Sequence, residues 1–129
     1  MTTSIFKHPG WSPRVPEGMR ILITGASGGI GQALVAMLLD GPDCIIGAHG
    51  ATRATECKDH RVISITKTFK NESDCARLID AFCKKAGGID ALIVLSGAIH
   101  FSGHWKDMPA SDWERDVQVN LNQPLIYVR

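Results

Sequence analysis

At 129 residues the chain is one domain's worth, long enough to bury about two-thirds of its unfolded surface. Apolar residues make up 44% and charged residues 21%, and no apolar run approaches the ~20 residues of a membrane-spanning helix. A net charge of +1, with no block of like charges, gives no electrostatic footprint for nucleic acid or an anionic membrane, so neither is an expected partner.

Residues 1–18, MTTSIFKHPGWSPRVPEG, read as an irregular arm before a domain spanning 19–129. The arm lacks an apolar core of signal-peptide length. The four cysteines (Cys44, Cys57, Cys75 and Cys83) have no C-x-x-C spacing. Together these point to a reduced, cytoplasmic setting with inert, mostly buried thiols.

Apolar runs then alternate with helical patterns. Ile21–Ile23 is a short continuous run, as in a strand buried on both faces. A helix is predicted from about Gly29 to Leu39, with Ile30, Leu34, Met37 and Leu38 as its apolar stripe and Gly41-Pro42 as its stop. Cys44–Ala48 and Val62–Thr66 read as the second and third strands. The stretch between them, 49–61, is too short and irregular for a clear crossover helix. Asn71 is placed to cap a helix running to about Ala86, whose apolar stripe is Cys75, Leu78, Ile79, Phe82, Cys83 and Ala86 and which Gly87-Gly88 ends. Ala91–Leu95 is the fourth strand. Ser111 and Glu114 form an S-x-x-E capping box that opens a last helix at Asp112, still running at Arg129. This alternation predicts an α/β fold, a parallel sheet with helices on both faces.

TGASGGIG, from Thr24 to Gly31, joins the first strand to the first helix. Without Cβ atoms its backbone can turn sharply and approach a ligand closely. The helix behind it offers free N–H groups and a partial positive charge to an anion, and Ser27 adds a hydroxyl donor. No G-K-[ST] follows, which excludes a P-loop. A tight strand-to-helix turn uses glycine for the same steric reason, so this motif alone leaves both readings open.

Two later segments bear on the choice. TGASGGIG has the form T-G-x-x-x-G-I-G, GGIDALIVLSGAI (Gly87 to Ile99) fits a D-x-L-V-N-N-A-G segment, and DWERDVQVNL fits a W-x-x-x-x-x-V-N-L helix. In this order and spacing the three resemble the N-terminal half of the short-chain dehydrogenase/reductase family, over roughly residues 18 to 129. The resemblance implies a truncated Rossmann-like three-layer fold with about four strands in the order 3-2-1-4. It also implies a nicotinamide dinucleotide whose ribose and pyrophosphate lie against Gly25, Ser27, Gly28, Gly29, Ile30 and Gly31. Ser96 and Gly97 stand where the family has Ala-Gly, and backbone from Ser96 to Ala98 is expected near the cofactor. Val94 and Leu95 replace both family asparagines, so apolar packing must take over their bonds across the central strands.

The family distinguishes NAD from NADP at the end of the second strand, which by counting from Thr24 falls on His49. No acidic residue follows until Glu56, while Arg53 and a protonated His49 would suit a 2′-phosphate. Gly28, where many NADP-preferring relatives carry a basic residue, weighs the other way. The balance leans to NADP over NAD. The family's adenine contact after the third strand falls near Thr68, which is not acidic.

By the same resemblance, hydride passes between the nicotinamide and a carbonyl or alcohol carbon, with a Tyr-x-x-x-Lys pair handling the proton and a Ser orienting the substrate. An Asn supports the Lys, and only that Asn is present, as Asn120. Tyr127 is the sole tyrosine, and a lysine four residues later would fall past Arg129, so packing is its expected role. The chain alone is expected to be inactive. His100 and His104 flank a loop rather than sharing a helix face, so no metal site is expected, though they could edge a substrate pocket. Trp105 and Trp113 read as core or interface residues. Three readings stand: part of an oxidoreductase, a non-catalytic nucleotide-binding or regulatory module, and a structural remnant that binds nothing. A bare outer edge on the fourth strand and a last helix of the kind that commonly forms the family's dimer interface make self-association the expected state.

Overall fold

The computed structural model describes residues 15–69 and 71–128, so residues 1–14 of the expected arm lie outside the described residues. Four parallel strands, β1 (Met19–Thr24), β2 (Cys44–Gly50), β3 (Val62–Thr66) and β4 (Ala91–Val94), form one sheet in the order β3-β2-β1-β4. Helix α1 (Gly29–Leu39) connects β1 to β2, and α2 (Glu72–Ala86) connects β3 to β4. After β4 a loop and a 3₁₀ turn at Trp105–Asp107 lead into α3 (Ala110–Val117). That helix widens to a π turn over Gln118–Asn122 and continues as α4 (Gln123–Val128). No described helix is long and apolar enough to cross a membrane.

The register explains the three layers. Ile21 lies beside Ile46 and Ala91, Ile46 beside Val62, and Ile23 beside Ala48 and Ile93. These side chains all join the core that α1 closes with Val35 and Leu38. The intervening row, Leu22, Ile63 and Leu92, faces the other way and meets Leu78 and Phe82 of α2 and Tyr127 of α4. Gly47 belongs to that row, and a Cβ there would stand 2.6 Å from the Phe82 ring, so the missing side chain is the space the ring occupies. Because β1 has a neighbour on both edges and a helix layer on both faces, its Ile21–Ile23 run is continuously apolar.

Two helix expectations need correction. The buried face of α1 is Gly31, Val35 and Leu38, and Ile30 is 77% exposed. A Cβ on Gly31 would collide with the Gly25 carbonyl and Ala26, so this close contact rotates the helix and turns Ile30 outward. The last helix starts at Ala110 with Pro109 as N-cap and no side-chain cap bond, so the Ser111–Glu114 capping box does not form. Pro109 holds φ at −60, and its carbonyl accepts from the Asp112 and Trp113 N–H groups, which starts the turn two residues earlier. Helix α2 ends as expected: Asn71 accepts from the Asp74 N–H at 3.2 Å, and Gly87 closes the other end at φ +80.

At the amino edge of the sheet, Arg20 of β1 and Asp90 just before β4 form a two-bond pair at 2.8 and 2.6 Å. Arg20 also donates to the Gly87 carbonyl, which ties the end of α2 to the same strand. Hydrogen bonds from the guanidinium and the Arg20 N–H hold the Asp90 carboxyl at about 2, against an ordinary 3.8. A depressed folded-state value favours folding above the unfolded value and loses that contribution as pH falls through the folded one. The melting temperature should therefore fall between about pH 4 and 2, with a shallower fall in Asp90→Asn; parallel curves for the two proteins would contradict this role.

Candidate functional site

The turn between β1 and α1 is built from contacts that admit no side chain. Gly25 adopts φ +71, and a Cβ on it would stand 2.7 Å from Leu95 C and O and from Ser96 N. The glycine turn and the segment after β4 are thus two walls in direct contact. Thr24 joins them: its carbonyl accepts from the Leu95 N–H at 3.0 Å, and its hydroxyl donates to Ser96 Oγ at 3.1 Å. Val94 and Leu95 pack into opposite cores, as expected where the asparagines are replaced. The polar link across the central strands comes from Thr24 and Ser96, which the sequence reading did not anticipate.

Helix α1 begins at Gly29 with no side-chain cap and no acidic residue in its first turn. Gly28, Gly29 and Ile30 are exposed there, and a Cβ on Gly29 would meet nothing within 4 Å. The arrangement is an open helix N-terminus beside a backbone-lined turn, suited to an anion. Ser27 is half-buried, and its carbonyl accepts from both Gln32 Nε2 and the Arg53 guanidinium at 3.0 Å. Arg53 therefore stands at the mouth of the turn with an exposed side chain.

His49 does not. It pairs in register with Thr24, one residue inside β2, and its ring enters the α2 face of the sheet against Phe69 at 4.7 Å. It is 1% exposed, its Nε2–H donates to the Lys67 carbonyl at 2.7 Å, and Nδ1 has no partner among the described residues. Burial lowers its pKa, so the ring stays neutral, and the expectation of a protonated His49 meeting a phosphate is corrected. The strand runs on to Gly50, whose missing side chain leaves room for the Arg53 carbonyl and Ser27 Oγ. Thr68, beyond β3, donates its hydroxyl to the Ala51 carbonyl at 2.9 Å and so ties the loops after β2 and β3 together.

The segment from Ala51 to His60 contains no helix. In its place a cleft of about 460 Å³ lies along α1, lined by Gln32, Val35, Leu39, Arg53, Thr55 and Cys57 among others.

The loop after β4 is gripped by the helix beyond it. Asn120, in the π turn, accepts from the Ala98 N–H at 3.0 Å and donates to the Ala98 carbonyl at 2.7 Å. A Cβ on Gly97 would stand 2.8 Å from Asn120 Oδ1. Asp116 Oδ1 accepts from the His100 N–H at 3.0 Å and from Nδ1 at 2.6 Å, a pairing the sequence reading missed because it joins two residues 16 apart. Ile99, Phe101, Trp105, Trp113 and Asn120 border a second cleft of about 470 Å³. Of the two histidines, His100 is held by Asp116, and His104 accepts from the Lys106 N–H. Trp105 and Trp113 are exposed, at 74% and 63%, rather than core residues. Tyr127 is packed as expected, edge-on to Phe69 at 5.5 Å, and burial raises its pKa. All four cysteines are free, with Cys44 and Cys75 buried and their thiol pKa values raised by burial.

Comparison with known proteins agrees with this geometry. Nodulation protein G of Rhizobium sp. (strain N33) is 34% identical over 110 residues, which cover 81% of this chain and 44% of that protein. The short-chain dehydrogenase/reductase olcF of Penicillium canescens is 26% identical over 117 residues, 89% of this chain and 45% of that protein. The chain thus spans less than half the length of these curated relatives. In fold it is similar to a short chain dehydrogenase/reductase from Saccharomyces cerevisiae, with a TM-score of 0.72 at 23% identity over 86% of this chain and 46% of that one. It is also similar to the NADH-dependent reductase A1-R′ complexed with NAD, at a TM-score of 0.62 and 23% identity over 86% of this chain and 49% of that one. The family model of short chain dehydrogenases matches residues 19–129, and with the glycine turn, the strand order and the Asn120 clamp in place, this chain belongs to that family.

Proposed function

We propose that this chain is the nicotinamide-dinucleotide-binding portion of an oxidoreductase that moves hydride between the cofactor and a carbonyl or alcohol carbon. The observation that carries this reading is the cradle itself. Gly25 and Gly31 exclude side chains by backbone contact, while the uncapped first turn of α1 leaves its N–H groups and positive dipole end open. When bound, the cofactor supplies the hydride chemistry. The chain's own residues do the rest: Gly25 to Gly31 receive the pyrophosphate, Ser96 to Ala98 form the facing wall, and Asn120 fixes that wall by its two bonds to Ala98. The sequence holds no Tyr-x-x-x-Lys. The proton step of the family reaction is therefore assigned to none of these residues.

Replacing Gly29 by Glu separates binding from folding. Its Cβ meets nothing, and an acidic side chain in the first turn suits the helix dipole, so the melting temperature should hold. The same charge repels a pyrophosphate, and NADPH affinity, read by the cofactor's fluorescence, should drop at least about tenfold. Unchanged affinity would remove the pyrophosphate from this turn.

For the cofactor we propose NADP, on Arg53. Its guanidinium stands beside the Ser27 carbonyl, where a 2′-phosphate would take charge-assisted bonds, and no carboxylate among the described residues pairs with it. Arg53→Ala should weaken NADPH about tenfold and leave NADH within about twofold, in parallel titrations. Equal losses for both would return the preference to NAD.

We also propose a cytoplasmic protein that self-associates. Among the described residues β4 pairs on one side only, and Leu121, Leu125 and Val128 of the last helices are more than half exposed. Sedimentation at increasing concentration should show dimers or larger species; a single monomeric species throughout would contradict this.

A further inference from the structure

Asp116 and Asn120 are four apart on one helical stretch, and the loop residues they hold, Ala98 and His100, are two apart. Four helical residues rise about 6 Å and two residues of open chain span about 6.6 Å, so the two pairs meet without distortion. The loop after β4 is therefore fixed at two points by four hydrogen bonds of 2.6 to 3.0 Å. With Thr24 holding Ser96, the bonds at Ala98 alone would leave the far end of the segment free to pivot, and those at His100 restrain it. Asp116 is suited to the second point because an ionised carboxylate only accepts, which puts the proton of the paired ring nitrogen on His100 Nδ1. Its carboxylate is 18% exposed and the imidazole 32%, so the pair is sheltered but lies outside both hydrophobic clusters.

We propose that Asp116 is a positioning residue for dinucleotide binding: by holding His100 it braces the far end of the Ser96–Ala98 wall that faces the glycine turn. Asn120 alone anchors that wall at Ala98, and the wall's other end is tied to Thr24. Without Asp116 the far end of the wall is held by Asn120 alone, which leaves it freer to move and the space between wall and turn less closely pre-shaped for a ligand. The proposal rests on the dinucleotide reading given above and adds to it a residue outside the glycine turn.

The test uses the full chain and the variants Asp116→Ala, Asp116→Asn and His100→Ala. Three quantities are measured: NADPH affinity by fluorescence, melting temperature, and amide hydrogen exchange. Asp116→Ala should weaken NADPH about tenfold. Asp116→Asn keeps an oxygen that accepts both N–H groups and should stay within about threefold of the original chain. His100→Ala keeps the backbone bond and should fall between the two. Exchange at the Ala98 amide, bonded to Asn120, should quicken in Asp116→Ala while the β1 and β2 amides hold, a local loosening that general destabilisation would not give.

Unchanged affinity in Asp116→Ala overturns the proposal, and so does failure of Asp116→Asn to restore binding or unchanged exchange at Ala98. If Asp116→Ala does not fold, His100→Ala decides by the same two measurements. If the original chain binds neither NADPH nor NADH, the dinucleotide reading fails, and the proposed role in binding fails with it. Exchange at Ala98 then still shows separately whether Asp116 holds the loop.

Discussion

The close contact between the glycine turn and the end of β4 is the constraint on which the rest of this molecule depends. Gly25 turns back on itself at φ +71 with Leu95 and Ser96 where its side chain would be, and Gly31 then packs against Gly25 and Ala26. Those two contacts decide where α1 starts and how it is rotated. They also bring the segments after β1 and β4, 72 residues apart at Thr24 and Ser96, to hydrogen-bonding distance. A Cβ at Gly25 or Gly31 would push the walls apart, because the atoms in its way are backbone and cannot turn aside as a flexible side chain can.

Around that contact the sheet divides its work by register. One row of side chains serves α1 and the next serves α2 and α4, so every residue of β1 from Ile21 to Thr24 is buried. The same alternation explains the fate of His49. Being opposite Thr24 places it on the α2 face, where desolvation keeps it neutral, while its neighbours Gly50 and Arg53 reach the mouth of the turn. A shift of one residue along a strand exchanges the interior for the site.

The α1 side of the sheet is the thinner one. The β2–β3 connection carries no helix, and Arg61 holds it in place instead, bonded to Asp59 at 2.9 Å and to the Leu39 carbonyl at 3.1 Å. The irregular composition of 49–61 forecast this absence. Polar and ionic ties replace apolar cover there, leaving the cleft beside Arg53.

Much of this could be read from residue order. The strands, the Asn71 and Gly87 ends of α2, the parallel sheet and the likeness to the short-chain dehydrogenases all follow from local patterns: apolar runs, caps and glycine spacing. These are properties of neighbours along the chain, and the sequence states them directly. Side-chain direction and pairing at a distance are different. The rotation of α1, the start of α3 at Pro109, the burial of His49, the Thr24–Ser96 bond and the Asp116–His100 pair each depend on which distant atoms arrive at the same place. Residue order alone determined the fold and where the glycine turn lies; only the tertiary structure decided which side chains face it, because contact across the sheet is set by register and packing.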